Sequence, residues 1–154
     1  MSQQPNPTQP MFTVEKLFVK DLSIEVPNAP KIYLEREAPQ VEIQMNNVAN
    51  PVDEGFYEVL LTVTVTAKIG EKSVFLVEVT QGGVFQIRGV PQQEMDVVLG
   101  VTCTNILYPY AREVVSDAVV RAGFPPVVLA PVNFDAIYQA RQQAQAQPAA
   151  ASTH

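Results

Sequence analysis

Residues 57–85 read YEVLLTVTVTAKIGEKSVFLVEVTQGGVF, and this stretch decides the fold class. Its first half alternates between two kinds of side chain. Apolar residues are Tyr57, Val59, Leu61, Val63 and Val65, and the residues between them include Glu58, Thr62, Thr64 and Thr66. Because side chains of a strand alternate between the two faces of a sheet, and β-branched residues favour strands, 57–67 is predicted to be a strand. Gly70 can adopt a positive φ in the turn that follows, so the whole stretch predicts an antiparallel hairpin.

The second half of this hairpin, residues 73–85, is apolar on both faces. One face carries Phe75, Val77 and Val79, and the other carries Val74, Leu76, Glu78 and Thr80. Contiguous exposed apolar residues mark interaction surfaces, whereas scattered ones are ordinary on a protein surface. The second face is therefore either a binding surface or an ordinary outer face, and the residues alone leave both alternatives open.

Two segments before the hairpin also have strand character. In residues 12–26 the apolar positions change from odd, at Leu17 and Val19, to even, at Leu22 and Ile24, so a bulge or break is expected at 19–21. Residues 41–46 alternate in the same way as a shorter strand. The following NNVANPVDEG, 46–55, is rich in turn formers and is expected to be a surface loop. The glycine pair at 82–83 predicts a bulge or a strand kink.

The segments with helical character come after the strands. Pro91 suits the first position of a helix. A longer helix is predicted over 109–121, with Gly123 as its terminator, and the proline-rich FPPVVLAPV at 124–132 cannot continue it. Asn133 is expected to cap the last helix. Strands followed by helices predict an α+β fold, in which a four-stranded antiparallel sheet carries the C-terminal helices on one face.

Length and composition predict one domain with two tails. The chain has 154 residues, of which 47% are hydrophobic, enough for a single core. Flexible tails are expected at 1–11 and 144–154, around one domain at 12–143. The net charge of −6 argues against nucleic acid as a partner. The sequence offers neither a secretory signal nor a stretch apolar enough for direct membrane insertion, and a cytoplasmic location is expected.

Few residues could carry out catalysis. The only histidine is His154, the final residue, so the usual Ser-His and Cys-His pairs and most zinc sites are not expected. Cys103 is the only cysteine and is expected to be structural and at least half-buried, since as a nucleophile it would lack a positioned base. Adjacent acids such as Asp53 and Glu54 are expected to be solvated. The sequence therefore predicts a protein that is not an enzyme and has no cofactor and no metal.

Four motifs together resemble the SecB family of bacterial export chaperones. They are YEVLLTVTVTA at 57–67, FLVEVTQGGVF at 75–85, NILYPYARE at 105–113 and LAPVNFDAIY at 129–138. The family often has CPNILFPYARE, where Thr104 and Tyr108 here replace a proline and a phenylalanine. The resemblance implies an ATP-independent chaperone that binds unfolded secretory precursor proteins, keeps them translocation-competent and delivers them to the motor ATPase SecA.

The resemblance also implies an assembly and three sets of residues. The assembly is a homotetramer, a dimer of dimers with helices between two large sheets. The SecA-binding set is Asp21, Glu25, Leu76 and Glu78, and the set at the tetramer interface is Val77, Val79 and Gln81. A client groove between the second strand, the expected loop and the late helices would use Val41, Ile43, Met45, Phe56, Tyr108, Phe134 and Tyr138, for each of which a core role is the alternative. The alternative function is an oligomeric binding or scaffold protein with another client, such as a toxin–antitoxin partner.

Overall fold

A computed structural model describes residues 9–146 of the chain. Its four antiparallel strands are β1 (Met11–Glu25), β2 (Gln40–Asp53), β3 (Phe56–Ile69) and β4 (Lys72–Arg88), in the sheet order β1-β4-β3-β2. The helices follow as α1 (Gln92–Val97), α2 (Cys103–Arg121) and α3 (Phe134–Ala146). A π-helical turn, Val98–Thr102, joins α1 to α2, and a 3₁₀ turn, Lys31–Leu34, lies between β1 and β2. The predicted α+β fold is confirmed; the predicted tails lie mostly outside the described residues.

The hydrophobic core lies between the two central strands and α2. We call the side of the sheet that α2 covers the inner face and the opposite side the outer face. Alternate residues of β3 and β4 on the inner face, among them Val63, Val77 and Val79, are fully buried. One stripe of α2 meets them, with every fourth residue 0% exposed: Cys103, Leu107, Ala111, Val115 and Val119. Because α2 packs mainly on β3 and β4, both edge strands stay largely exposed.

Strand β1 contains the predicted irregularity. Its pairing with β4 shifts between Val19 and Asp21, and also between Val14 and Lys16. A residue inserted in one strand changes which side chains point to a given face. The shift therefore turns Leu22 and Ile24 to the same inner face as Val19, opposite Val79 and Val77. The expected bulge at 19–21 is confirmed.

The expected loop at 46–55 is wrong, because β2 continues through it to Asp53. Val48 pairs with Leu60 and Asn50 pairs with Glu58, so only residues 54 and 55 remain for the turn into β3. Pairing with a long neighbouring strand outweighs the turn preference of these residues. Pro51 is tolerated since β2 is an edge strand, where a missing N–H need not break the sheet.

The start of the long helix and the role of the glycine pair also differ from the predictions. Helix α2 begins at Cys103 and contains Pro109, because the buried stripe continues on both sides of that proline. Gly82 and Gly83 pair in regular register with both neighbouring strands. A Cβ at Gly82 would lie 2.6 Å from the Phe18 ring, and one at Gly83 would lie 2.7 Å from the Phe85 ring. The glycines make room for aromatic rings, and neither of them lies at a bulge.

Val74 was predicted on the outer face beside Leu76, yet it is only 3% exposed. The pairing of β3 with β4 shifts between Ala67 and Lys68, whose partners are Phe75 and Ser73, so Val74 is the extra residue of a bulge. A bulge redirects the side chain it carries. Val74 therefore joins the core, and Leu76 remains as the exposed apolar residue at this end of the outer face.

Candidate functional site

A groove of about 430 Å³ lies between β2, the π-helical turn and α3, and we call it the α3 groove. Its apolar lining includes Met45, Leu61, Leu99, Phe134 and Tyr138. Methionine and aromatic side chains suit a surface that must adapt to different ligands. The α3 groove can therefore accept apolar side chains of varied shape.

Buried Tyr108 supports the α3 groove from below. Its ring meets Phe134 edge-on, with 5.5 Å between ring centroids, and its hydroxyl donates a hydrogen bond to the carbonyl oxygen of Ala130. Burial raises the pKa of Tyr108, and the nearby charge of Arg112 offsets part of that rise. The hydroxyl thus stays protonated as a donor and fixes the segment before α3.

Asn47 joins three elements at the edge of the α3 groove. Its Nδ2 donates to the Gly100 carbonyl oxygen at 3.2 Å and to Thr104 Oγ1 at 3.1 Å, while its Oδ1 accepts from Arg141 Nη1 at 2.9 Å. These bonds tie β2 to the π-helical turn, to the start of α2 and to α3. The sequence prediction missed Asn47 because it fell in the expected loop, although it continues the inward alternation of Val41, Ile43 and Met45.

A second groove, of about 560 Å³, lies at the other end of β2, and we call it the aromatic groove. Tyr33, Phe75 and Phe124 form its aromatic cluster, with ring centroids 5.3 Å apart for Tyr33 and Phe124 and 5.2 Å apart for Phe75 and Phe124. The Tyr33 hydroxyl donates to the Ala122 carbonyl oxygen at 2.7 Å. Gly123, with φ +94°, then turns the chain so that Phe124 reaches the cluster.

An ion pair lies at the rim of the aromatic groove. Lys72 Nζ is 2.8 Å from Glu35 Oε1, and this hydrogen bond and charge raise the pKa of Lys72. Both side chains are partly exposed, so the pair adds little stability. The rim is therefore polar while the groove beneath it is apolar, as is common for binding sites.

The residues predicted for the client groove lie mostly along these two grooves. Val41 lines the aromatic groove, and Met45, Phe134 and Tyr138 line the α3 groove. Ile43 lies on β2 between them and is 42% exposed.

The other two predicted groove residues lie elsewhere. Tyr108 lies beneath the α3 groove, as described above. Phe56 pairs with Gln86 at the far end of the sheet, where the Arg88 guanidinium lies 5.9 Å from the centre of its ring. The structure therefore does not bring Phe56 to either groove.

The residues predicted to bind SecA come together at one end of the outer face, which we call the acidic patch: Asp21, Glu25, Leu76 and Glu78. Glu25 lies opposite Leu76, and Glu78 lies opposite Ser23, two residues from Asp21. Leu76 is 37% exposed, and Glu78 Oε2 accepts a hydrogen bond from Thr64 Oγ1 at 3.0 Å. The patch thus places Glu25 and Glu78 beside one exposed apolar side chain, with Asp21 further along the same face.

Exposed apolar side chains also line the inner face of β1, and we call Val19, Leu22 and Ile24 the β1 strip. They are 45%, 46% and 37% exposed and lie beside the core. Val77 and Val79, predicted at the tetramer interface, are themselves buried within the single chain. Gln81 pairs with Val19 and is 3% exposed, and within residues 9–146 its Oε1 has no hydrogen-bond partner.

The described part of the chain shows little that could support catalysis. Within residues 9–146, no three histidine, cysteine or acidic side chains lie close enough together to hold a metal ion. Cys103 is buried, and desolvation raises the pKa of its thiol to about 12, so it carries no thiolate near neutral pH. The predicted burial of Cys103 is confirmed. Over the same residues no helix is long and apolar enough to cross a membrane.

A family model and individual sequence relatives indicate the same family for this chain. The family model described as preprotein translocase subunit SecB matches residues 5–145. The protein-export protein SecB of Methylobacillus flagellatus is 60% identical over 146 residues, covering 95% of this chain and 93% of the relative. That of Nitrosospira multiformis is 61% identical over 145 residues (94% and 91%), and that of Neisseria meningitidis serogroup B is 55% identical over 139 residues (90% and 95%).

A solved structure shares the fold. It is the SecB-like chaperone of Mycobacterium tuberculosis in complex with a ChAD peptide from the HigA1 antitoxin. The TM-score is 0.66 at 16% sequence identity, and the match covers 79% of this chain and 90% of that one. At this identity the likeness supports the fold alone.

Proposed function

Because this chain belongs to the SecB family and is a protein-export chaperone, we propose that its two grooves hold unfolded precursor polypeptides and that its acidic patch docks SecA. The observation that carries the proposal is the alignment of both grooves along one strand. Val41 and Met45, which line the two grooves, lie on the same face of β2 as Ile43, which is exposed between them. From Val41 to Asn47 the strand spans about 20 Å at roughly 3.3 Å per residue, enough to contact several residues of an extended client.

The grooves would act by mass action. A ligand that binds only the unfolded state of a client stabilises that state and slows its folding. Apolar grooves with methionine and aromatic linings require apolar side chains from the client rather than a fixed sequence. Such binding needs no ATP. An export chaperone binds its clients before they cross the membrane, which supports a cytoplasmic location.

Two substitutions on opposite faces of β2 test the grooves. Ile43→Asp puts a charge between the grooves, and Gln44→Asp puts the same charge on the outer face; both side chains are exposed and Gln44 lines neither groove, so stability should change little in both. A desolvated charge opposes apolar binding, so Ile43→Asp should abolish the delay that the protein imposes on refolding of a slow-folding precursor. Gln44→Asp should keep that delay. Equal delays for the two variants would contradict the grooves.

Docking of SecA at the acidic patch is supported by its geometry, since the carboxylates of Glu25 and Glu78 lie beside exposed Leu76 and favour a partner with basic and apolar groups. Glu78→Lys and Leu76→Arg should each weaken SecA binding at least tenfold in a calorimetric titration. Glu54→Lys makes the same charge change in the exposed turn between β2 and β3 and should leave the affinity unchanged.

Salt gives a second measure of the same docking. Exposed charges are screened beyond about 8 Å at physiological ionic strength, so affinity for SecA should fall as salt is added. The loss should be smaller for Glu78→Lys, which has already lost part of the attraction. Unchanged affinity in both Glu78→Lys and Leu76→Arg would remove the acidic patch from the proposal.

A homotetramer is the assembly that we propose, with the β1 strip and Gln81 covered by further copies. Three exposed apolar residues beside the core form a surface that association would bury. An unpaired buried acceptor such as Gln81 Oε1 costs about 1–3 kcal/mol, and a donor from a second copy would remove that cost. Several grooves in one particle would then bind one client chain with increased avidity.

A further inference from the structure

Strand β2 has one free edge. It pairs with β3 on one side and forms the end of the sheet on the other. The pairing with β3 is regular from Gln40 to Pro51, where its register shift begins. Along a regular edge, alternate residues direct their backbone N–H and C=O groups away from the sheet. Among residues 9–146, no backbone hydrogen bond connects β2 to a group outside the sheet.

This edge lacks the features that usually protect an edge strand. Lysines, prolines and bulges are the common devices that prevent pairing with another chain. The opposite edge, β1, has two bulges together with Lys16 and Lys20. Residues 40–50 of β2 read QVEIQMNNVAN and contain no lysine, proline, glycine or register shift. The edge at β2 can therefore pair with another chain more readily than the edge at β1.

The unprotected edge runs beside both grooves. Val41 lines the aromatic groove at one end, and Met45 and Asn47 line the α3 groove further along. We propose that an extended client segment pairs with residues 40–50 of β2 as a fifth strand of the sheet and places alternate side chains in the two grooves. This inference rests on the proposed binding of clients in the grooves and adds the way in which the client backbone is held.

Backbone pairing accounts for broad client choice in chemical terms. Every residue except proline supplies the same main-chain donor and acceptor, so these hydrogen bonds do not depend on the client sequence. They do depend on an extended conformation, which a folded or helical segment cannot offer without unfolding. The edge would thus select for unfolded chain, while the grooves would select for apolar side chains at alternate positions.

Backbone methylation of a client peptide tests this pairing. The probe is a peptide of about ten residues with apolar side chains at alternate positions, which fixes the face it presents to the grooves. Two further peptides carry N-methyl groups at every odd or every even residue, without any change of side chain. Only one set of N–H groups can face β2, so one methylated series should lose binding at least tenfold and the other should bind like the unmodified peptide.

The possible outcomes distinguish a failure of strand pairing from a failure of client binding in the grooves. Equal affinities of the two methylated series, whether both weakened or both unchanged, would overturn the pairing while the grooves remain. Failure of the unmodified peptide to bind would overturn the grooves themselves, and the pairing with them. Hydrogen exchange provides the protein-side measure: binding should slow exchange at those alternate amides of residues 40–50 that point away from β3, and unchanged exchange at these amides in the bound state would contradict a fifth strand.

Discussion

Gly83 is a position at which a single added carbon should change the stability of the whole core. A Cβ there would lie 2.7 Å from the Phe85 ring and 3.0 Å from Leu107 Cδ2, and both side chains are fully buried. Because neither neighbour can move toward solvent, Gly83→Ala should cost about 1–3 kcal/mol of unfolding free energy. Urea denaturation at one fixed protein concentration measures the change.

Gly100→Ala is the matched control. A Cβ at Gly100 meets nothing nearer than the Tyr138 ring, at 3.5 Å, and alanine is favoured over glycine in helical backbone. This variant should be as stable as the original chain or more stable. Equal stability of the two alanine variants would show that Phe85 and Leu107 yield to the added methyl group.

For single residues, the sequence predicted burial and backbone irregularity better than it predicted contacts with distant residues. Burial of Cys103 followed from its residue type and the lack of a partner base. The bulge at 19–21 followed from the switch of apolar positions. The role of Gly82 and Gly83 could not be predicted, because the rings that lie on them come from Phe18 in another strand and from Phe85 on the inner face. Asn47 was missed for a similar reason, since its three partners lie far along the chain.

Among the elements, α3 should respond most to a single capping bond. Asn133 Oδ1 accepts a hydrogen bond from the Ala136 N–H at 3.0 Å, as expected of an N-cap. Asn133→Ala removes that bond and should cost about 1 kcal/mol. The helix has few buried residues to hold it otherwise, so amide exchange should quicken in residues 134–146 and stay unchanged in β3 and β4.

Asn133→Asp is the control for the capping bond. Aspartate keeps an acceptor at the same position and adds a charge that the start of a helix favours. Exchange in α3 should therefore stay as slow as in the original chain. If Asn133→Ala exchanged equally slowly, packing in the α3 groove rather than the cap would hold the helix.

For strands and helices, local sequence patterns predicted some boundaries, whereas pairing with distant residues determined others. Alternation in residues 57–67 and the cap at Asn133 were sufficient to predict β3 and the start of α3. The second half of β2 could not be predicted, since its turn-forming residues are held extended by pairing with β3. Helix α2 begins before Pro109 because its buried stripe, which reaches Cys103, outweighs one lost hydrogen bond.

For the whole molecule, the β1 strip predicts the effect of one charge on assembly. If the proposed tetramer forms through this strip, Leu22→Glu should reduce the native mass from four times 16.9 kDa to a smaller species, because the charge would be desolvated in the interface. Val48→Glu is the control, since Val48 is 45% exposed, close to the 46% of Leu22, but lies on the outer face. Mass photometry or light scattering gives the native mass. A full-mass Leu22→Glu assembly would exclude the β1 strip from the interface.

The site as a whole could be predicted only in part. The acidic patch joins two strands whose alternation is readable, and the structure does bring its four residues together. The aromatic groove could not be foreseen, because it combines the 3₁₀ turn, the starts of β2 and β4 and the segment after α2. A sequence pattern reports neighbours within one element, whereas a groove depends on how separate elements meet.

The sheet order has a consequence for synthesis of the chain. Strand β1 is made first, yet its partner in the sheet is β4, which follows β2 and β3. At about 5–20 residues per second, β1 leaves the ribosome several seconds before Leu76 and Val79 exist to pair with it. During that interval its Leu22 and Ile24 are exposed on an unpaired extended segment. The nascent chain of this chaperone is thus briefly the kind of polypeptide that its own family binds.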